Sequence, residues 1–244
     1  MNVFGSSIAV ILCCATAMAA QTLSPGTALP VMVSTTLNTR SDKPDQKIEG
    51  KLMQEVRLAD DSVIKKGSRV TGQVISVQKP SRITVQFTQL QDEHRNIPLD
   101  VRVRALAASA SVFQAGLPVD ASSSEESDEW VTKQIGGEYV FRGRGYVSSD
   151  QGKIGRWDGS GVWGKLAPGD NCLFAEDSDL EQALWIFSTT SCGPYGFEDL
   201  KIAADGSESP QGQITLESGK DALVRGGSGW LLVVNGAKHS GTRP

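Results

Sequence analysis

The residues able to do chemistry in this chain are few and scattered. There are two histidines. His94 falls in a turn-like run (Asp92-Glu93-His94-Arg95) and His239 in a polar tail, and they lack the spacing of a metal-binding pair. Ser62 and Lys65 match S-x-x-K, but their strand-and-turn context offers no helix to align the two side chains. Gly159-Ser160-Gly161 and Gly227-Ser228-Gly229 read as turns rather than as a G-x-S-x-G elbow. Neither a Walker A loop nor a G-x-G-x-x-G between strand and helix is present. The acidic run 176–181 (EDSDLE) lacks the D-x-D-x-D-G order of a calcium loop and reads as a solvated helix start. No catalytic residue, cofactor site or metal site is expected.

Two tryptophans offer a different chemistry. Trp157 and Trp163 flank Asp158-Gly159-Ser160-Gly161, and exposed rings at that spacing would stack on a sugar or an apolar partner. The competing reading buries both as loop and core anchors. Cys172 and Cys192 are twenty residues apart and are expected to form a disulfide, worth on the order of 3 kcal/mol for a loop of that size. Two free thiols, or half of a metal site, are the alternatives.

The cysteine reading depends on the first twenty residues. Residues 5–20 (GSSIAVILCCATAMAA) form a short apolar run ending in small residues, the pattern of a secretory signal peptide with Ala17-Met18-Ala19 before the cleavage point. Cys13 and Cys14 would leave with it, and the rest of the chain would enter an oxidising compartment. The leader contains no Lys or Arg, which leaves an uncleaved anchor as an alternative. Lipid attachment is a further one, disfavoured by Leu12 ahead of Cys13. No later apolar run reaches the ~20 residues needed to span a bilayer as a helix.

Charge divides the remainder. The whole chain carries 24 Lys and Arg against 28 Asp and Glu, a net charge of -4. Residues 21–106 hold 13 basic and 9 acidic residues, whereas 107–244 hold 11 and 19 and all five tryptophans. Nothing globally basic points to nucleic acid. The contrast predicts two domains, 21–106 and 130–244, joined by an acidic, Ser-rich linker over 107–129.

The elements follow from period-two alternation. Ile83, Val85 and Phe87 alternate with Thr84, Gln86 and Thr88, and Leu99, Val101 and Val103 with Asp100, Arg102 and Arg104. Turn signals at Lys66-Gly67, Lys79-Pro80-Ser81 and Asp92-Glu93 separate such runs. Five or six antiparallel strands in a barrel or sandwich are expected in the first half, with edges suited to accepting a partner strand. In the second half, strands are expected at 139–141, 183–189, 213–217 and 230–234, a weaker one at 199–204, and a short helix at 177–182. The fold class is all-β: two small β-rich domains.

One segment resembles a known family. Gly26-Thr27-Ala28-Leu29-Pro30-Val31, followed by Val63-Ile64-Lys65-Lys66-Gly67-Ser68-Arg69-Val70-Thr71-Gly72-Gln73-Val74, is similar to the β-domain of TrbI-like proteins, channel components of type IV secretion and conjugation systems. Lys65 stands where that family's second motif has proline. The resemblance covers about 23–103, and the family's membrane anchor and proline-rich spacer are not apparent. It implies a Gram-negative envelope β-domain rather than a complete channel, with a bend or bulge at Gly72. Residues 128–137 resemble segments of uncharacterised exported proteins.

Together these readings predict an exported, periplasmic or secreted protein that binds an envelope protein or a cell-wall glycan. They predict no nucleic-acid partner and no transmembrane segment in the mature chain. The alternative is a glycan hydrolase in the second half using Asp or Glu.

Overall fold

The computed structural model of the chain describes residues 23–58, 60, 62–93, 95–119, 130–170, 172, 173, 178–203 and 212–236. The leader, His94, His239 and residues 120–129 of the expected linker lie outside them.

The protein is all-β, with one short helix among the described residues. In chain order the first strands are β1 (Ala28–Val33), β2 (Leu37–Asn38), β3 (Lys47–Leu52), β4 (Val56–Arg57), β5 (Val63–Ile64), β6 (Arg69–Gln78), β7 (Arg82–Asp92), β8 (Arg95–Pro98) and β9 (Val101–Ala107). Helix α1 (Ser109–Ala115) follows, then β10 (Val131–Lys133), β11 (Tyr139–Phe141), β12 (Tyr146–Ser149), β13 (Gly152–Trp157), β14 (Val162–Lys165) and β15 (Glu181–Ala183). The chain continues with β16 (Gly193–Tyr195), β17 (Lys201–Ile202), β18 (Gln213–Glu217), β19 (Leu223–Val224) and β20 (Ser228–Val234).

Two sheets dominate. The larger has the order β16-β9-β20-β1-β3-β6-β7-β18-β17, with β8 also on β7. Nine strands in a row would measure about 38 Å if flat. Yet its end strands, β16 and β17, are separated in sequence only by residues 196–200, a connection reaching at most ~21 Å. The sheet must therefore curl, and β16 and β17 lie close together. No ladder joins them among the described residues, so the sheet curls without closing into a barrel.

The curl encloses the first core: Val31, Ile48, Val70, Val74, Val85, Phe87, Leu90, Val103, Trp230 and Leu232, all buried. The alternation read in β7 explains it, since Ile83, Val85 and Phe87 supply its inward row. The β6–β7 hairpin turns at Lys79-Pro80-Ser81, where the Lys79–Pro80 peptide is cis. Its register shifts at Thr71/Gly72, and there a Cβ on Gly72 would collide with the Gln86 carbonyl. That is the bulge expected at this glycine.

The smaller sheet is an antiparallel meander, β10-β11-β12-β13-β14-β15. Its inner face, with Val140, Val147 and Val162, packs with Phe187 and Leu184 in a second core that includes Ala28, Ala105, Leu231 and Val233. Strand β20 (SGWLLVV) explains how the cores meet. Trp230, Leu232 and Val234 face the first core, Leu231 and Val233 face the second, and every residue of the strand is buried. A continuous apolar run is what a strand covered on both faces requires.

Several sequence expectations are corrected. Residues 109–115 form α1 rather than a linker, with Ala115 buried and Val112 packed on the second core. Where a helix is expected at 177–182, the described residues 178–180 bend into β15, because Glu181 and Gln182 pair with Lys165 and Gly164. The run 183–189 does not stay extended: Trp185 takes φ 52° and its N–H donates to Gln54 Oε1. The sheets also partition the chain differently from the division at 107–129, since β16, β17, β18 and β20 all belong to the large sheet.

Candidate binding face

The outer face of the meander is built by its pairing register. Val131 lies opposite Phe141, Phe141 opposite Tyr146, Tyr146 opposite Arg156, and Arg156 opposite Trp163. This row crosses five strands, about 19 Å at the usual strand spacing. Beside it runs a second row, Lys133, Tyr139, Ser148 and Lys153. Because Val140 and Val147 point inward, alternation sends these neighbours outward.

The rows combine rings with cations. Phe141 and Tyr146 stack at 4.6 Å with planes 17° apart. Lys133 Nζ sits 5.3 Å from the Tyr139 ring centre and Lys153 Nζ 5.7 Å from that of Tyr146. Tyr139 is 38 % exposed. Residues 130–165 carry six Lys or Arg against three Asp or Glu, a local excess of positive charge inside the acidic half. One of those acids, Glu138, is buried and does not offset the charge at the surface.

Arg156 closes one end of the first row. It donates to Glu181 at 2.8 Å and Asp158 at 2.9 Å, and its guanidinium lies 4.9 Å from the centre of the Trp163 ring. Burial works against the Asp158 charge, but hydrogen bonds from Ser160 and Arg156 hold its carboxyl below the usual range. Arg57, from β4, approaches the Trp163 ring at 4.7 Å. Trp163 is 1 % exposed, so its ring is an anchor between the two sheets and not a stacking surface. Gln54 reinforces this junction by donating from Nε2 to the Val162 carbonyl.

Trp157 is half-buried against the second core, with Arg142 at 4.3 Å from its ring centre. The same guanidinium lies 4.9 Å from Trp130, which is 53 % exposed. Arg142 is thus flanked by two indoles, a cation–π arrangement that rigidifies the meander's edge. Of the two readings open for Trp157 and Trp163, stacking surface or buried anchor, burial holds for Trp163 and in part for Trp157. The more exposed rings of this region are those of Tyr139 and Trp130. The signal for this face was the alternation Tyr139-Val140-Phe141 beside Tyr146-Val147-Ser148, and averaging charge over 107–244 concealed its basic character.

Cys172 and Cys192 form the expected disulfide, with Cα atoms 4.9 Å apart. The loops it joins are also held by Arg104, whose guanidinium donates to the carbonyls of Ala167, Thr189 and Ser191. Glu138 accepts from the Thr189 N–H at 3.0 Å and from its hydroxyl. Burial pushes the Glu138 carboxyl up, against the opposing effect of these hydrogen bonds. A cavity of about 610 Å³ runs past Lys133, Glu138, Tyr139, Asp150 and Thr189.

The remaining sequence candidates are dispersed. Ser62 caps its own turn by bonding Asp60, while Lys65 pairs with Glu93. They do not form a catalytic pair. No cluster of three or more metal-ligating side chains occurs among the described residues, and no described helix is long and apolar enough to cross a membrane.

No protein-family model matches the chain, and no curated protein matches it.

Proposed function

We propose that the chain is an exported, non-catalytic binding protein of the bacterial envelope that contacts an envelope protein or cell-wall glycan through the outer face of its meander. One observation carries the reading: a sheet buried on one side presents aromatic rings and lysines to solvent on the other. Rings with polar or cationic neighbours supply contact area at low entropic cost. The Cys172–Cys192 bond agrees with an oxidising compartment. The apolar leader and the TrbI-like pattern over 23–103 support the same address.

Cosedimentation of the purified protein with envelope membranes and with isolated sacculi tests the proposal. Wild-type protein is expected in the pellet, and a Tyr139→Ala, Lys153→Ala double variant in the supernatant. Equal sedimentation of both would remove the face from the account.

A second reading, a glycan hydrolase, draws on Glu138 and Asp150, two carboxyls beside one cavity, with the Glu138 pKa raised by burial. Against it, both Glu138 oxygens already accept from Thr189, so this carboxyl is engaged in holding a loop. Release of reducing ends from glycan by wild-type protein, abolished in Glu138→Gln, would establish the hydrolase instead.

A further inference from the structure

We propose that the meander face binds an acidic polysaccharide, lying across strands β10 to β13; this rests on the binding role proposed above and names its ligand class.

Three observations converge. First, the cations on the second row are available. Lys133 and Lys153 each rest on a tyrosine ring, and neither is in an ion pair among the described residues. An exposed cation–π contact is weak, so either ammonium can turn to a ligand anion without surrendering a buried partner. Arg156 is different: Asp158 and Glu181 already satisfy it, and it serves to position the row. Second, the two rows run perpendicular to the strands. Across β10 to β13 they offer a track about 14 Å long at the usual strand spacing, matched to a short linear chain of sugars rather than to a compact ligand. The anions must be spaced along that chain, because Lys133 and Lys153 are separated by two intervening strands. Third, the rings suit sugar faces. The apolar side of a pyranose packs on an aromatic surface, and Tyr139 presents one when Lys133 swings away.

Charge and compartment together select the polymer. A neutral glycan would use the rings and leave two lysines without a purpose. Single-stranded nucleic acid has matching anions and flat bases. However, a disulfide-bonded protein belongs to an oxidising compartment, where acidic polysaccharides are the abundant anionic chains.

Titration calorimetry of the purified protein with alginate, a polyuronate, tests the proposal, with dextran and an oligothymidylate as comparators. Alginate is expected to bind with an affinity that falls as salt rises, and dextran not to bind. Lys133→Ala with Lys153→Ala should weaken alginate binding about tenfold or more and flatten its salt dependence. Tyr139→Ala should weaken it while leaving the salt dependence unchanged. Unaltered melting of each variant establishes that the fold is intact. Absence of alginate binding, or equal binding by the double lysine variant, overturns the proposal. So does tighter binding of the oligothymidylate, which would reassign the face to nucleic acid. If the wild-type protein still sediments with envelope and the face variants do not, binding through the face stands and only the acidic-polysaccharide assignment fails.

Discussion

At the scale of single residues, the most telling group is Glu138. It is a buried carboxyl whose hydrogen bonds come from a neighbouring threonine. Its pKa in the folded protein lies above the ordinary carboxyl value because burial outweighs those bonds. The folded state therefore holds this proton more tightly than the unfolded chain does. Its contribution to stability is complete below the unfolded carboxyl range and is lost as pH rises through the folded pKa. Glu138→Gln keeps an acceptor for Thr189 and removes the charge. Its melting temperature is expected to exceed that of wild type at neutral pH and to lose this advantage in acid. A variant less stable than wild type at neutral pH would show that the ionised carboxylate is worth more than its burial costs. Asp92 has the opposite sign. Burial opposes its ionisation, but hydrogen bonds from Arg95, the Glu93 N–H and Ser68 hold its pKa down. Its share of stability is present above the unfolded carboxyl range and lost as pH falls through the folded pKa.

At the scale of elements, the β6–β7 hairpin shows how much a sequence can specify. The alternating residues, the turn at Lys79-Pro80-Ser81 and the bulge at Gly72 were all legible, because each is a local consequence of backbone sterics and side-chain period. Gly72→Ala is expected to destabilise the protein by roughly 1–3 kcal/mol, as the new Cβ must displace the Gln86 backbone; chemical denaturation checks this, and an unchanged midpoint would mean the bulge relaxes freely. Strand β15 and helix α1 were not legible. The tract 177–182 looks like a helix start, yet pairing with β14 decides the conformation of Glu181 and Gln182. The small residues of 109–115 carry little apolar signal, yet they dock against β20. In both cases a partner distant in sequence overrides weak local preference. The binding face was missed for a related reason. Its rings come from two strands and acquire their order only when the register sets Phe141 beside Tyr146 and Tyr139 beside Ser148.

At the scale of the whole molecule, the large sheet takes strands from both ends of the chain. β20 is inserted between β1 and β9, and β18 pairs with β7. A chain ending at residue 106 would expose Phe87, whose partner Trp230 packs edge to face against it at 5.5 Å. Such a fragment is expected to show no dispersed amide spectrum and no cooperative melt, whereas the chain carrying 130–236 should show both. The charge step at 107 thus tracks surface composition rather than the course of the core. Each half of the chain reads as β from its own alternation. That both contribute to one curled sheet, with the meander packed outside β9-β20-β1, depends on long-range pairing that no local pattern records. The outer face of the meander, formed by Tyr139, Phe141, Tyr146 and their lysines, is turned to solvent, and the proposed function rests on that face being a contact surface. Its most direct test is cosedimentation with envelope membranes and sacculi, comparing wild type with the Tyr139→Ala, Lys153→Ala variant. The account predicts that wild-type protein pellets and the equally stable variant does not; sedimentation of both to the same extent would contradict it.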